Sequence, residues 1–387
     1  MPIRVGIVND MKLAAEVLRK VVATDPALAV SWIARDGEEA VALCANDLPD
    51  LVLMDLVMPK VNGVEATRRI MASTPCPILL VTATVSGNLD LVYDAMGAGA
   101  VDVTTTPVVG DQRGLDSGEE LRRKIHAVCR VSSPVRAHAA GELPTDAPDA
   151  MASGGRLQSA QLASRVPPAL TASALDRLQQ SHPATSPPLR FGAARVLPPL
   201  LAIGASTGGP AALAEVLGAL PGDFPAAVAI VQHIDREFVG GLATWLAGSS
   251  ALPVALARGG EPLQAGRVLI AEAGHHLVLD ALGRLQYTSE PRDALHCPSV
   301  DVFFSSVAEH APSRSCGVLL TGMGRDGASG LLAMRRAGFH TVAQDQASSV
   351  VYGMPAAAAA LGAARQVLPL RGIAPHLKSV FKEAVTP

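Results

Sequence analysis

The chain reads as an α/β protein of two parallel-sheet domains joined by a linker, and three observations predict this. Apolar runs of four to eight residues alternate with helix-patterned runs in both halves, a middle stretch loses that alternation, and polar residues gather just after the apolar runs. At 387 residues, with about 100 to 200 residues per domain, two domains are also the natural count.

In the first half, Val5 to Val8, Val30 to Ala34, Leu51 to Met54, Ile78 to Val81 and Val101 to Val103 read as strands. Ala14 to Val22, Glu38 to Cys44, Val64 to Met71 and Leu89 to Met96 read as the helices between them. From Val131 to Arg195, Pro, Ala, Ser and Gly crowd together, as in Ser181-His182-Pro183-Ala184-Thr185-Ser186-Pro187-Pro188. Such a segment buries too little apolar surface to offset its ordering entropy. A short helix from Gly118 to Cys129 begins the linker, and the expected divisions are 1–125, a linker at 126–195, and 196–387. Alternation resumes with Leu200 to Ile203 and continues to the C-terminal end.

Composition excludes several function classes. Lys plus Arg total 32 against 35 Asp plus Glu, a net charge of −3 that gives no attraction to nucleic acid or to an anionic membrane. The apolar runs are far shorter than the roughly 18 residues of a spanning helix, so no membrane insertion is expected. The opening Met1-Pro2-Ile3-Arg4-Val5 lacks the basic start of a signal peptide, and Cys44, Cys76, Cys129, Cys297 and Cys316 show no CxxC spacing. Both point to a reduced, cytoplasmic setting.

Ligands of parallel sheets gather at the carboxyl ends of strands. In the first half these ends carry Asn9 and Asp10, Asp55, Thr82, and Thr106-Pro107. Asp10, Asp55 and the carbonyl of Val57 would suit Mg²⁺, with Asp55 the nucleophile toward a phosphoryl group. Any one of these acids, taken alone, serves equally well as a helix cap.

In the second half, Leu200 to Ile203 leads into Gly204-Ala205-Ser206-Thr207-Gly208-Gly209-Pro210, a glycine-rich strand-to-helix turn that leaves a serine hydroxyl at a helix N-terminus. The spacing departs from the dinucleotide-binding G-x-G-x-x-G. Ala226 to Gln232 ends at His233, a base for Ser206. Cys316 to Leu320 leads to Thr321-Gly322-Met323-Gly324-Arg325-Asp326-Gly327, where Asp326 could orient His233 or simply cap the helix beginning at Ala328, and where the Met323 amide is a candidate to hold an oxyanion. The order Ser, His, Asp differs from the Ser, acid, His order of the α/β-hydrolases.

The run Asp50-Leu51-Val52-Leu53-Met54-Asp55-Leu56-Val57-Met58-Pro59 with Gly63 resembles the receiver domain of two-component response regulators. This implies a doubly wound, flavodoxin-like sheet, phosphorylation of Asp55 by a histidine kinase, Mg²⁺ as the cofactor of that step, and a hydrogen bond from Thr82 to the phosphoryl group. Asn9 stands where receivers carry a first acid, and Thr106 where they carry a lysine, so a hydroxyl replaces a cation.

Beyond the linker, Ile203-Gly204-Ala205-Ser206-Thr207-Gly208-Gly209, Val231-Gln232-His233, His296-Cys297-Pro298-Ser299-Val300-Asp301 and Thr321 to Gly327 resemble, in order, the motifs of the CheB methylesterases. The resemblance implies hydrolysis of glutamyl methyl esters on the cytoplasmic helices of methyl-accepting chemoreceptors, release of methanol, and deamidation of receptor glutamines. No cofactor is implied for the ester chemistry. It further implies that the unphosphorylated receiver blocks the site. With Asn9 and Thr106, the opening Gly6-Ile7-Val8-Asn9-Asp10-Met11 is more similar to the WspF branch, which serves surface behaviour and cyclic-di-GMP signalling. Two rival readings follow from the same residues: a non-catalytic signalling module that only binds receptor or kinase, and a serine hydrolase of small esters.

Overall fold

The computed structural model describes residues 1–83, 88–107, 118–129 and 197–383, and the chain divides into two compact units, Met1–Val166 and Pro167–Pro387. Most of the expected linker, residues 130–195, lies outside the described residues.

The first unit holds five parallel strands, β1 (Ile3–Val8), β2 (Leu28–Ala34), β3 (Leu51–Met54), β4 (Ile78–Thr82) and β5 (Asp102–Thr105), in the order β2-β1-β3-β4-β5. Strands covered on both faces read as unbroken apolar runs, and Leu51, Val52, Leu53 and Met54 are all fully buried. Helices Lys12–Ala23, Gly37–Asn46, Gly63–Ser73 and Leu89–Gly97 connect the strands. Two of them start on side-chain caps: Asp36 accepts from the Glu39 amide and Asn62 from the Glu65 amide. A helix over residues 118–129 closes the unit. His126 bonds Asp25 at 2.7 Å, Arg122 bonds Thr24 at 2.9 Å, and Lys124 pairs with Asp102 at 3.2 Å. This helix carries the first unit past the limit of 125 expected from the sequence, because its buried Leu121, Ile125 and Val128 need the cover of the sheet domain.

The second unit is built on a seven-stranded parallel sheet: β6 (Leu200–Ala205), β7 (Ala227–Gln232), β8 (Val254–Leu256), β10 (Val268–Ile270), β13 (Cys316–Leu319), β14 (His340–Gln344) and β15 (Gln366–Leu368). Their order is β15-β14-β13-β6-β7-β10-β8. The chain leaves β6 toward β7 on one side and later returns through β13 on the other, so β6 lies at a topological switch point, the place where open α/β sheets form their crevice. A small antiparallel sheet, β9 (Glu261–Pro262), β11 (His276–Leu279) and β12 (Arg284–Thr288), lies outside the α/β pattern expected from the sequence. Helix Val300–His310 buries Val300, Phe303, Phe304 and Val307 in the core beneath the switch point.

Candidate active site

The backbone fixes the three strand ends to one another. The Ser206 amide donates to the Thr321 carbonyl at 3.0 Å, the His233 amide to Ala205 at 2.9 Å, and the Leu320 amide to Gly204 at 2.9 Å. Ser206, His233 and the Thr321–Gly327 turn therefore share one edge. Gln232 strengthens the link, since its Nε2 donates to both the Ser206 and the His233 carbonyls at 2.9 Å.

The glycines after Ser206 are required by geometry. Gly208 has φ +78° and stands at the N-terminus of helix Gly209–Gly218, and a Cβ on Gly209 would lie 2.0 Å from Gln232 Oε1. Pro210 stands in the first turn of the helix, where its missing N–H costs nothing. Ser206 is only 8% exposed, at the positive end of this helix.

His233 and Asp326 form the expected pair, Nε2 to Oδ2 at 2.9 Å, each side chain about one-tenth exposed. His233 Nδ1 is buried and makes no hydrogen bond among the described residues, which leaves it as the nitrogen available to a serine proton. Catalytic hydrogen bonds are often open before substrate arrives. Gly322 is so close to Ser206 that a Cβ there would meet Ser206 Cβ at 2.7 Å, and Met323, the oxyanion candidate, follows it in the turn.

Asp326 does not act as a simple cap of its own helix; Gly327 holds that position with φ +87°. Its carboxylate turns to the N-terminus of helix Val300–His310. Oδ1 accepts from Ser299 Oγ at 2.8 Å, from the Asp301 amide at 3.0 Å and from the Gly327 amide at 3.1 Å, and Oδ2 accepts from the Val300 amide at 2.8 Å and from His233. Burial pushes this carboxyl up, but the His233 hydrogen bond and charge, with the Asp301 and Val300 amides, outweigh it and hold the group well below the usual carboxylate range.

Sequence reasoning assigned no role to Gln232, Ser299 or His296, whose ring stacks on His233 with centroids 4.2 Å apart at 21°. The only signal for the last two was their place in the His296 to Asp301 motif.

In the first unit the strand ends again gather the expected residues. Asp55 Oδ1 accepts from the Leu56 amide at 2.7 Å and Oδ2 from Asn9 Nδ2 at 2.9 Å, while Asn9 Oδ1 is engaged by the Met11 amide at 2.9 Å. Thr82 is buried at the end of β4, and its carbonyl accepts from the Thr106 amide at 2.9 Å. Asp10 and Val57 are exposed beside Asp55. Thr106 Oγ1 is buried without a hydrogen-bond partner among the described residues, and the cations Lys60 and Lys124 are engaged by Asp36 and Asp102.

Burial raises the Asp55 carboxyl to about 6; the Leu56 and Val57 amides oppose this and the Asp10 charge adds to it. Two repelling carboxylates with no cation against them among the described residues fit a divalent metal bound through Asp10, Asp55 and the Val57 carbonyl. Among the described residues no three His, Cys, Asp or Glu side chains are grouped to hold a metal, so the site has only two carboxylates and a backbone carbonyl to offer one.

Because the folded state binds the Asp55 proton more tightly than the unfolded chain, this group's contribution to stability falls as pH rises from about 4 to 6. In metal-free buffer, Asp55→Asn is expected to gain about 2 kcal/mol on the wild type, discounted for partial exposure, as pH rises from 4 to 7.5. Urea denaturation at the two pH values checks this.

A receiver-like parallel sheet followed by an α/β domain with Ser, His and Asp on three linked strand ends defines a response regulator with an enzymatic output domain. The model of the response regulator receiver domain matches residues 5–115, and that of CheB methylesterase matches residues 201–377. The chain is 49% identical over 374 residues to a protein-glutamate methylesterase/protein-glutamine glutaminase of Cupriavidus metallidurans, covering 97% of each chain. It is 47% identical over 384 residues to one of Bordetella avium, covering 99% of each. The CheB methylesterase catalytic domain of Thermotoga maritima, a crystal structure, aligns over 48% of this chain and all of its own at 35% identity and TM-score 0.46. The chain belongs to the CheB family of receiver-linked protein-glutamate methylesterases.

Proposed function

We propose that this chain hydrolyses glutamyl methyl esters on the cytoplasmic helices of methyl-accepting chemoreceptors under control of phosphorylation at Asp55, with Ser206, His233 and Asp326 as the catalytic residues. The observation that carries the reading is that backbone hydrogen bonds bring these three residues to one sheet edge, with His233 Nε2 on Asp326 Oδ2 and Nδ1 without a hydrogen bond among the described residues.

Ser206 Oγ attacks the ester carbonyl as His233 Nδ1 takes its proton, and the imidazolium is held by Asp326 through Nε2. The oxyanion is stabilised by the Met323 amide and the positive end of helix Gly209–Gly218. Collapse of the tetrahedral species expels methanol, which receives the proton from His233. Water, deprotonated by the same Nδ1, then attacks the acyl-serine and releases the glutamate. A receptor glutamine entering the same cycle would lose ammonia, in accord with the glutaminase named for the relatives.

In the receiver, Asp10, Asp55 and the Val57 carbonyl would hold Mg²⁺, which when bound would supply compensating charge for phosphoryl transfer. Asp55 is the acceptor from a histidine kinase, and the Thr82 hydroxyl engages the phosphoryl group. No helix among the described residues is long and apolar enough to cross a membrane, and the substrate helices assign the cytoplasm as the working compartment.

The deciding experiment measures methanol release from methylated receptor fragments with and without acetyl phosphate and Mg²⁺. Acceleration by the phosphodonor is expected in the wild-type chain and is lost, together with acyl-phosphate labelling, in Asp55→Ala. Equal labelling of that variant overturns the receiver site; no methanol from the wild-type chain overturns the esterase.

A further inference from the structure

We infer that Ser299 is a positioning residue of the catalytic relay, giving its hydroxyl proton to Asp326 and so holding the carboxylate that orients His233. The inference rests on the catalytic reading of Ser206, His233 and Asp326 and adds a residue to it.

The direction of the proton follows from the partners. Ser299 Oγ lies 2.8 Å from Asp326 Oδ1 and 3.3 Å from the Val302 amide. An amide N–H only donates and a carboxylate only accepts, so the one hydroxyl proton of a serine held between them points to Asp326. One side chain therefore caps helix Val300–His310 and completes the cradle of the catalytic acid.

The residue itself is held from behind. Ser299 is 5% exposed, and its amide donates to His276 Nδ1 at 3.0 Å. With Nδ1 accepting, the proton of a neutral His276 sits on Nε2, 3.1 Å from the Pro291 carbonyl. The run Pro291 carbonyl, His276, Ser299, Asp326, His233 is thus a continuous set of hydrogen bonds with every proton assigned, ending on the imidazole that serves Ser206. A buried hydrogen bond to a charged group is stronger than a neutral one, and the low surrounding dielectric adds to it.

Capping and proton donation separate by mutation. Glycine is well tolerated at an N-cap, so Ser299→Gly keeps the helix and removes the donor. Ser299→Asp keeps a good cap but has no proton to give and brings a second charge against Asp326. In the full chain activated by acetyl phosphate, both variants are expected to lower kcat for methanol release about tenfold or more with KM unchanged, and Ser299→Thr to restore it. Combined with Asp326→Ala, Ser299→Gly is expected to cost nothing further, a coupling that a purely structural role would not produce. Wild-type kcat in Ser299→Gly, or an undiminished loss in the Asp326→Ala background, overturns the inference. Wild-type activity in Asp326→Ala alone would instead overturn the catalytic reading and leave Ser299 as a cap only.

Discussion

Ser206→Ala is expected to abolish methanol release, lowering kcat by about a thousandfold to a millionfold while leaving the fold intact. The size follows from the mechanism: without Oγ no acyl-enzyme forms, and only water positioned by the remaining groups can attack. The fold should survive because the structural work at this position belongs to the backbone. The Ser206 amide donates to Thr321 and its carbonyl accepts from Gly209 and Gln232, and alanine retains all three bonds. A thermal midpoint within about 2 °C of wild type, measured beside the methanol assay, separates lost chemistry from lost structure. Retention of a tenth of the wild-type turnover would remove Ser206 from the mechanism.

Most of what positions this residue was legible in the sequence, and the reason is topological. Parallel strands carry unbroken apolar runs, and the polar residue that ends each run is by that fact at the carboxyl edge of the sheet. Ser206, His233 and Asp326 could therefore be grouped before any contact was visible, as could Asn9, Asp55 and Thr82. Order of strands could not be read this way. Nothing in Cys316 to Leu319 says that it pairs with β6 rather than with a strand nearer in sequence.

The misses have separate physical causes. Strand β9 is two residues long, one of them proline, and so has no period to detect; the antiparallel sheet was invisible for that reason. Asp326 was open to reading as a cap because a side chain before a helix can turn either way. The structure turns it to another helix, whose Ser299, Val300 and Asp301 lie 25 to 27 positions away in sequence. Which imidazole nitrogen of His233 meets the acid is a rotamer choice that no spacing encodes. The helix over residues 118–129 was expected, but its attachment to the first unit depends on Asp25, Thr24 and Asp102, which reveal nothing of it in one dimension.

Asp326→Ala is the second large effect, and it should be lost on two scales at once. For catalysis, the imidazolium that forms when His233 takes the serine proton loses its counter-charge and its orientation, and kcat is expected to fall about ten-thousandfold. For stability, the substitution leaves the Ser299 hydroxyl, the amides of Val300, Asp301 and Gly327, and His233 Nε2 without their acceptor inside a half-closed site. Removing one member of such a buried, charged network is expected to cost about 3 kcal/mol or more. The two losses carry different pH signatures. In the folded wild type the carboxyl is held well below its unfolded value, so its stabilisation is complete above the unfolded pKa of about 3.9 and drains away as pH falls below that. Asp326→Ala should therefore be less stable than wild type at pH 7, and the gap should close as both are acidified toward pH 2, with denaturant midpoints as the measure. A gap that stayed constant from pH 7 to pH 2 would mean that the loss comes from packing and that the charge of Asp326 does not hold this edge of the sheet together.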